Sequence, residues 1–242
     1  MKKAVTSPLT DYMFYKAGKL GVPLNGTFEL TPMCNFNCRM CYVRKTPEEV
    51  NASKRPMLTA EQWIQLAQEA RDAGMLYLLL TGGEPTVHPD FWKIYKALSH
   101  MGLLISINTN GSMLDDDAME MLVKRPPRKV NVTIYGASDA TYEKLCGVKN
   151  VFSKINRGID RLKEEKIQVK LNCSLTPWNA DDLETMIQYA KDKELVLDIT
   201  SYMFPPLRRD KGMIGRNHRF EPKEAAFYRM KTYRLQHGDE EY

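Results

Sequence analysis

The sequence contains no hydrophobic run long enough to cross a membrane. Nowhere in its 242 residues do about 18 apolar residues follow one another, so we expect no transmembrane helix. The N-terminal stretch carries two lysines but no sustained apolar segment, so we expect no secretory signal peptide. Cysteine is also scarce. The chain contains five cysteines, and none follows Cys173. An odd number with three clustered argues against a disulfide framework and favours a reducing, cytoplasmic compartment.

Positive charge is unevenly distributed along the chain. The formal net charge is +5, and residues 207–234 contain nine basic residues against three acidic ones. This segment is either a site for an anionic partner or a solvated, arginine-rich helix. Arginine binds carboxylate and phosphate groups bidentately. The candidates for substrate contact are Arg208, Arg209, Arg216 and Arg219.

Short apolar segments alternate with helical patterns along most of the chain. Their composition is typical of strands that are buried on both faces. They occupy residues 27–30, 76–80, 103–107, 130–134, 169–175 and 195–199. This alternation predicts right-handed βαβ units and a parallel sheet, which is either open and doubly wound or a barrel.

Helix signals lie between these segments. Thr59 followed by Gln62 forms a capping-box pattern, and Asn179 or Asp181 would cap a later helix. Residues 201–222 contain three prolines and many charges, which predicts a loop that leaves the core. Helices are expected over residues 59–74, 89–102, 151–166, from 179 or 181 to 193, and 222–236.

The segment TPMCNFNCRMCY directly follows the first predicted strand and places Cys34, Cys38 and Cys41 at C-x3-C-x2-C spacing. Three thiolates this close can converge on one metal centre. Structural zinc is nearly always closed by four protein ligands, whereas a [4Fe–4S] cluster with three cysteines keeps one iron open for an external ligand. The spacing therefore favours an iron–sulfur enzyme. The alternatives are a zinc site completed by a distant residue such as His88, or reduced unpaired cysteines.

A second motif, Thr81-Gly82-Gly83-Glu84-Pro85, follows the second predicted strand. Its two glycines allow a close approach of the backbone to a ligand, and its proline stiffens the loop. Loops that follow parallel strands meet at one end of the sheet, where active sites of such folds lie. We therefore expect this loop and the cysteine segment to face each other.

The two motifs together resemble those of the radical S-adenosylmethionine (SAM) superfamily over roughly residues 24–204. The resemblance implies an α/β fold, a partial (β/α)6 TIM-like barrel with parallel strands. Residues 1–23 would form a short N-terminal lead-in, and residues 205–242 a basic loop and C-terminal helix. That last segment could begin a further module.

The resemblance also implies the cofactors and the chemistry. Cys34, Cys38 and Cys41 would hold a [4Fe–4S] cluster whose fourth iron binds SAM, and the Gly82–Pro85 loop would bind the SAM amino group. An electron from a donor such as flavodoxin or ferredoxin would cleave SAM to methionine and a 5′-deoxyadenosyl radical. That radical would take a hydrogen atom from the substrate, while the protein supplies orientation and excludes water.

Further cofactor contacts are carried over residue by residue. The Asn108-Thr109-Asn110-Gly111 segment resembles the T-N-G turn of the family near SAM, and Thr133 ends the fourth strand where relatives often carry Ser or Thr. Tyr42 flanks the last cysteine and is a further cofactor candidate. Met40 departs from the aromatic residue that many relatives carry before that cysteine. Cys173 is either a buried small hydrophobic residue or a catalytic thiol.

The branch that the chain resembles includes enzymes with C-terminal SPASM or twitch domains, many of which modify peptides. Those domains bind auxiliary clusters through cysteines that this chain lacks after Cys173. We expect a peptide or protein substrate. RNA is disfavoured, because no basic patch interleaved with aromatics is present, and a small molecule remains an alternative. The alternative of another class is a truncated or non-catalytic Fe–S protein that transfers electrons.

Overall fold

The computed structural model describes residues 8–53, 56–203 and 219–238. Arg208, Arg209 and Arg216 lie outside the described residues. Six strands are present: β1 (Asn25–Glu29), β2 (Tyr77–Thr81), β3 (Leu104–Thr109), β4 (Lys129–Thr133), β5 (Val169–Ser174) and β6 (Leu197–Thr200). The helices are α1 (Pro8–Leu20), α2 (Pro47–Asn51), α3 (Ala60–Asp72), α4 (Phe91–Leu98), α5 (Asp116–Lys124), α6 (Asp139–Cys146), α7 (Phe152–Glu164), α8 (Leu183–Asp192) and α9 (Pro222–His237).

The strands form one parallel sheet in the order β1-β2-β3-β4-β5-β6, with β1 and β6 at its edges. One cavity is lined by residues from β2 through β6, so the sheet curves around it as in a partial barrel. This arrangement confirms the predicted α/β class and all six predicted strands. Their observed bounds differ from the predicted ones by at most two residues, since the ends of short strands are weakly specified by composition.

Side chains alternate between the two faces of the sheet. On the outer face, Leu80, Ile107, Val132 and Leu171 are almost fully buried beneath the helices and form the main hydrophobic core. The inner face is polar, and its strand-end residues Asn108, Thr133, Asn172, Ser174 and Thr200 line the cavity. The apolar outer layer therefore stabilises the fold, while the inner layer is left for polar contacts.

The capping box of α3 is confirmed. The Thr59 hydroxyl accepts the Gln62 amide at 3.3 Å, and the Gln62 side chain accepts the Thr59 amide at 2.9 Å. The cap predicted for α8 is wrong. The helix begins at Leu183 after a short 3₁₀ turn, and the Asn179 side chain instead accepts the amide and hydroxyl of Thr176.

Two further helices, α1 and α9, pack against the sheet. Near the amino ends of the strands, Phe14 of α1 stacks on Tyr77 of β2 with ring centroids 5.9 Å apart. At the other edge, the Gln236 amide of α9 donates to the Leu197 carbonyl of β6 at 2.8 Å. Such a contact satisfies part of an exposed strand edge. No helix among residues 8–53, 56–203 and 219–238 is long and apolar enough to span a membrane.

Candidate functional site

The loops that follow β1 and β2 are bonded backbone to backbone. Gly83 donates to the Thr31 carbonyl at 2.7 Å, and Glu84 donates to the Met33 carbonyl at 2.9 Å. A Cβ atom at Gly82 would lie 2.4 Å from the Thr31 oxygen, and one at Gly83 would lie 2.2 Å from the Met33 oxygen. Gly82 also has φ of +149°. Both glycines are therefore required for the two loops to approach this closely.

Glu84 connects the β2 loop to the end of β3. Its carboxylate accepts the Asn110 amide at 2.7 Å and the Thr109 hydroxyl at 2.9 Å. The Thr86 hydroxyl and amide donate to it at 2.6 and 3.2 Å. The side chain is 1% exposed, and burial raises its pKa even though these donors oppose the shift. Glu84 and Pro85 thus lie behind the cavity wall, whereas Gly82 and Gly83 line the cavity.

Asn110 connects β3 back to the cysteine segment. Its side-chain amide donates to the Asn35 side chain at 2.8 Å and lies 3.8 Å from the Cys34 sulfur. Its carbonyl oxygen accepts the Ser112 amide at 2.9 Å, and the Ser112 hydroxyl accepts the Asn35 amide at 2.8 Å. The loops after β1, β2 and β3 therefore form one hydrogen-bonded unit.

The other side of the cysteine segment is bonded to the C-terminus of α6. The amides of Asn37 and Arg39 donate to the carbonyls of Cys146 and Leu145 at 2.8 and 3.0 Å. The last carbonyls of a helix have no partner within the helix. The cysteine segment supplies these partners and is held in place by them.

The three cysteines are partly buried and line the same cavity, whose volume is about 1540 Å³. The Phe36 amide donates to the Cys34 sulfur at 3.4 Å, and the Arg44 amide donates to the Cys41 sulfur at 3.3 Å. Burial raises the pKa of Cys34 to about 12, with the Phe36 amide acting in the opposite direction. A coordinating metal would deprotonate such a thiol at neutral pH.

Cys38 lies next to the thiol of Cys146, a residue outside both sequence motifs. A hydrogen bond with Cys146, which is fully buried, lowers the pKa of Cys38 and raises that of Cys146. Cys146 is 108 positions away in the chain, so no local spacing could have revealed this contact. A phenol is also close, because the Tyr135 hydroxyl contributes to the lowered pKa of Cys38.

The donor set fits a thiolate-ligated cluster. Three sulfurs line one open cavity, two of them accept backbone amides, and the paired glycines bring further backbone to the same wall. In the described part of the chain, no three His, Cys, Asp or Glu side chains converge as they would around a single ion. His88 is 4% exposed, and its Nδ1 accepts the Asp90 amide at 3.1 Å, so it acts as a loop residue before α4.

The other predicted site residues lie in different places. Asn108 and Thr133 line the cavity, as does Tyr42, which is 48% exposed. Cys173 borders the cavity, but its side chain packs on the helix side of β5, where its sulfur lies 3.7 Å from the Met186 sulfur and the residue is 2% exposed. This position is that of a small buried hydrophobic residue. Arg219 is partly buried just before α9.

A parallel barrel with a site at the carboxyl ends of its strands is the usual arrangement of a cofactor-dependent enzyme. A model of the Radical SAM superfamily matches residues 28–190, and the chain therefore belongs to that superfamily. Members of the superfamily use a [4Fe–4S] cluster and SAM. The resemblance recognised from the two motifs is thus confirmed.

Individual relatives are similar over the barrel. The AdoMet-dependent heme synthase of Methanosarcina barkeri is 27% identical over 183 residues, covering 76% of this chain and 51% of that protein. The sporulation killing factor maturation protein SkfB of Bacillus subtilis is 28% identical over 191 residues, covering 77% and 44%. The structure of Streptococcus suis SuiB bound to precursor peptide SuiA gives a TM-score of 0.71 at 15% identity and covers 97% and 52%. This chain thus spans about half the length of these relatives.

Proposed function

We propose that the protein is a radical SAM enzyme in which Cys34, Cys38 and Cys41 hold the [4Fe–4S] cluster. The observation that carries the proposal is that three cysteines and the Gly82–Gly83 backbone line one cavity at the carboxyl ends of the strands. When bound, the cluster and SAM supply an organic radical that abstracts hydrogen from an unactivated C–H bond. The protein binds and positions these groups.

The chain's own residues orient SAM and limit water. The backbone of Gly82 and Gly83 offers hydrogen-bonding groups to SAM, and Asn108 and Thr133 offer polar side chains along the same wall. Asn110 lies beside them, with its side chain bonded to Asn35 and Ser112. Tyr42 covers the outer side of the site. Glu84 and Pro85 act indirectly, because they fix the position of the loop. An external donor such as flavodoxin or ferredoxin supplies the electron.

We further propose a peptide or protein substrate. Two observations support this choice: the similarity to SkfB, which is a maturation protein, and the fold shared with SuiB, which was solved with a precursor peptide. The second candidate is a small molecule, which is favoured by the similarity to a heme synthase and by the position of the cavity inside the barrel.

The test is anaerobic reconstitution with iron and sulfide, followed by dithionite and SAM. We expect about four irons per chain and formation of 5′-deoxyadenosine, measured by chromatography. Four irons without 5′-deoxyadenosine would instead favour the electron-transfer alternative, and a single tightly bound zinc would overturn the proposal. Incubation with candidate precursor peptides, followed by mass spectrometry, tests the substrate class.

A further inference from the structure

The cavity carries an excess of positive charge. Among the described Lys, Arg, Asp and Glu residues that line it, four are cationic and one is a carboxylate: Lys129, Lys170, Lys191, Arg229 and Asp198. A cleft lined by an excess of charge of one sign concentrates ligands of the opposite sign. The charge therefore acts on ligands that enter the barrel. The cysteines lie at the opposite end of the cavity.

Three of these four cations are compensated by protein groups or by water. Lys170 forms an ion pair with Asp198, and Lys191 donates to the Leu235 carbonyl at 3.1 Å. Arg229 lies on an exposed part of α9, where water solvates it. None of the three therefore gains much from a further anion.

Lys129 is the exception. It begins β4 and, by strand alternation, faces the same side as Thr133. Within the described part of the chain, its ammonium group has no hydrogen bond or ion pair. Partial burial, followed by the nearby charges of Lys170 and Arg128, lowers its pKa, while the charge of Asp198 acts in the opposite direction. An ammonium in this setting gains more from an added anion than a fully solvated one does.

We propose that Lys129 anchors a carboxylate of the peptide substrate at the end of the cavity opposite the cysteines. This inference rests on the proposed function. Lys129 and Thr133 are four residues apart on one strand, which corresponds to about 13 Å. An extended peptide covers that distance in about four residues. The anchoring acidic residue therefore lies about four positions from the residue that reacts near Thr133.

The test measures binding of a fluorescein-labelled tetraglutamate peptide to the reconstituted protein by fluorescence anisotropy. The Lys129→Gln substitution should weaken binding about tenfold, because it removes one partly desolvated ion pair. The matched control is Lys93→Gln on α4, which should leave the affinity unchanged because Lys93 pairs with Glu61 on the surface. A tetraglutamine peptide should bind wild-type protein much more weakly.

A second variant acts in the opposite direction. Asp198→Asn removes the one carboxylate among the described residues of the cavity and should tighten tetraglutamate binding about threefold. Unchanged affinity in Lys129→Gln would overturn the inference, whatever the effect of Asp198→Asn. Tripolyphosphate serves as a competitor, and displacement at concentrations far below those of unlabelled tetraglutamate would also overturn it, in favour of a phosphate ligand.

The inference and the proposed function fail in different ways. Failure of the proposed function would appear in the wild-type protein as missing iron or missing 5′-deoxyadenosine. Failure of the present inference would appear as unchanged peptide affinity in Lys129→Gln, in a preparation whose wild type binds iron and cleaves SAM.

Discussion

The two halves of the barrel differ in whether the polar groups near their strand ends are hydrogen-bonded to one another. In the half formed by β1, β2 and β3, the strand-end loops bond to one another through Gly83, Glu84 and Asn110. In the half formed by β4, β5 and β6, the side chains of Asn172 and Ser174 face the cavity without a side-chain hydrogen bond in the described part of the chain.

This difference separates two tasks. A site whose groups bond to each other before a ligand arrives is preorganised, which suits a cofactor that is always the same. A wall whose donors and acceptors are left open, and which also carries the unmatched Lys129, suits a substrate that differs between relatives. We therefore propose that the first half, together with Thr133 at the end of β4, serves the cofactors, and that the rest of the second half serves the substrate.

The largest effect is expected for Cys38→Ala. Loss of one of three thiolates should remove the cluster and abolish SAM cleavage, as measured by iron content and by 5′-deoxyadenosine formation. Cys173→Ala is the matched control, because Cys173 is buried on the outer face of β5. It should retain both iron and cleavage. Loss of cleavage in the control would extend the chemistry into the second half and contradict the division.

Gly83→Ala should separate the first two loops without removing a ligand. Its new Cβ would lie 2.2 Å from the Met33 carbonyl oxygen, so the backbone must shift at a cost of about 3 kcal/mol. We expect SAM cleavage to fall about a hundredfold. Gly18→Ala in α1 is the control, since a Cβ added there would meet no atom within 4 Å. A fully active Gly83→Ala protein would show that the loop contact is dispensable.

Glu84→Gln should loosen the link between β2 and β3 while the cluster remains. The amide can accept fewer of the four hydrogen bonds that converge on the carboxylate. We expect a loss of about 2 kcal/mol in the free energy of unfolding and about tenfold weaker SAM binding, measured by denaturant titration and calorimetry. Glu61→Gln, on the exposed face of α3, should change neither. Unchanged SAM affinity in Glu84→Gln would show that the hydrogen bonds of the Glu84 carboxylate do not orient the site.

Thr59→Ala lies outside both halves and should have the smallest effect. Loss of the α3 cap should lower the free energy of unfolding by about 1 kcal/mol and leave SAM cleavage unchanged. Gln65→Ala on the same helix loses only a side-chain pair with Glu69 and should cost a few tenths of a kcal/mol. A drop in cleavage with Thr59→Ala would mean that helix stability, and not the loop contacts, controls the site.

Much of the fold follows from local pattern. Strands buried beneath helices need apolar outer faces, so β1 to β6 could be located from composition alone, and Thr59 could be recognised as a cap. By contrast, α6 was not predicted. It is short, and the amides of Asn37 and Arg39 stabilise its C-terminal carbonyls from a segment about 105 residues away. Such support is invisible in a local window.

Spacing and periodicity, which are local properties, were enough to predict the parallel sheet, the three clustered cysteines and the paired glycines. The barrel was implied by the family resemblance. The folded chain was needed to show that Glu84 lies behind the cavity, that Asn110 reaches the cysteine segment, and that Cys146 lies beside Cys38. It also left Lys129 without a partner among the described residues. The physical reason is that burial and pairing depend on which distant segments meet, and in a barrel each strand end meets loops that are far away along the chain.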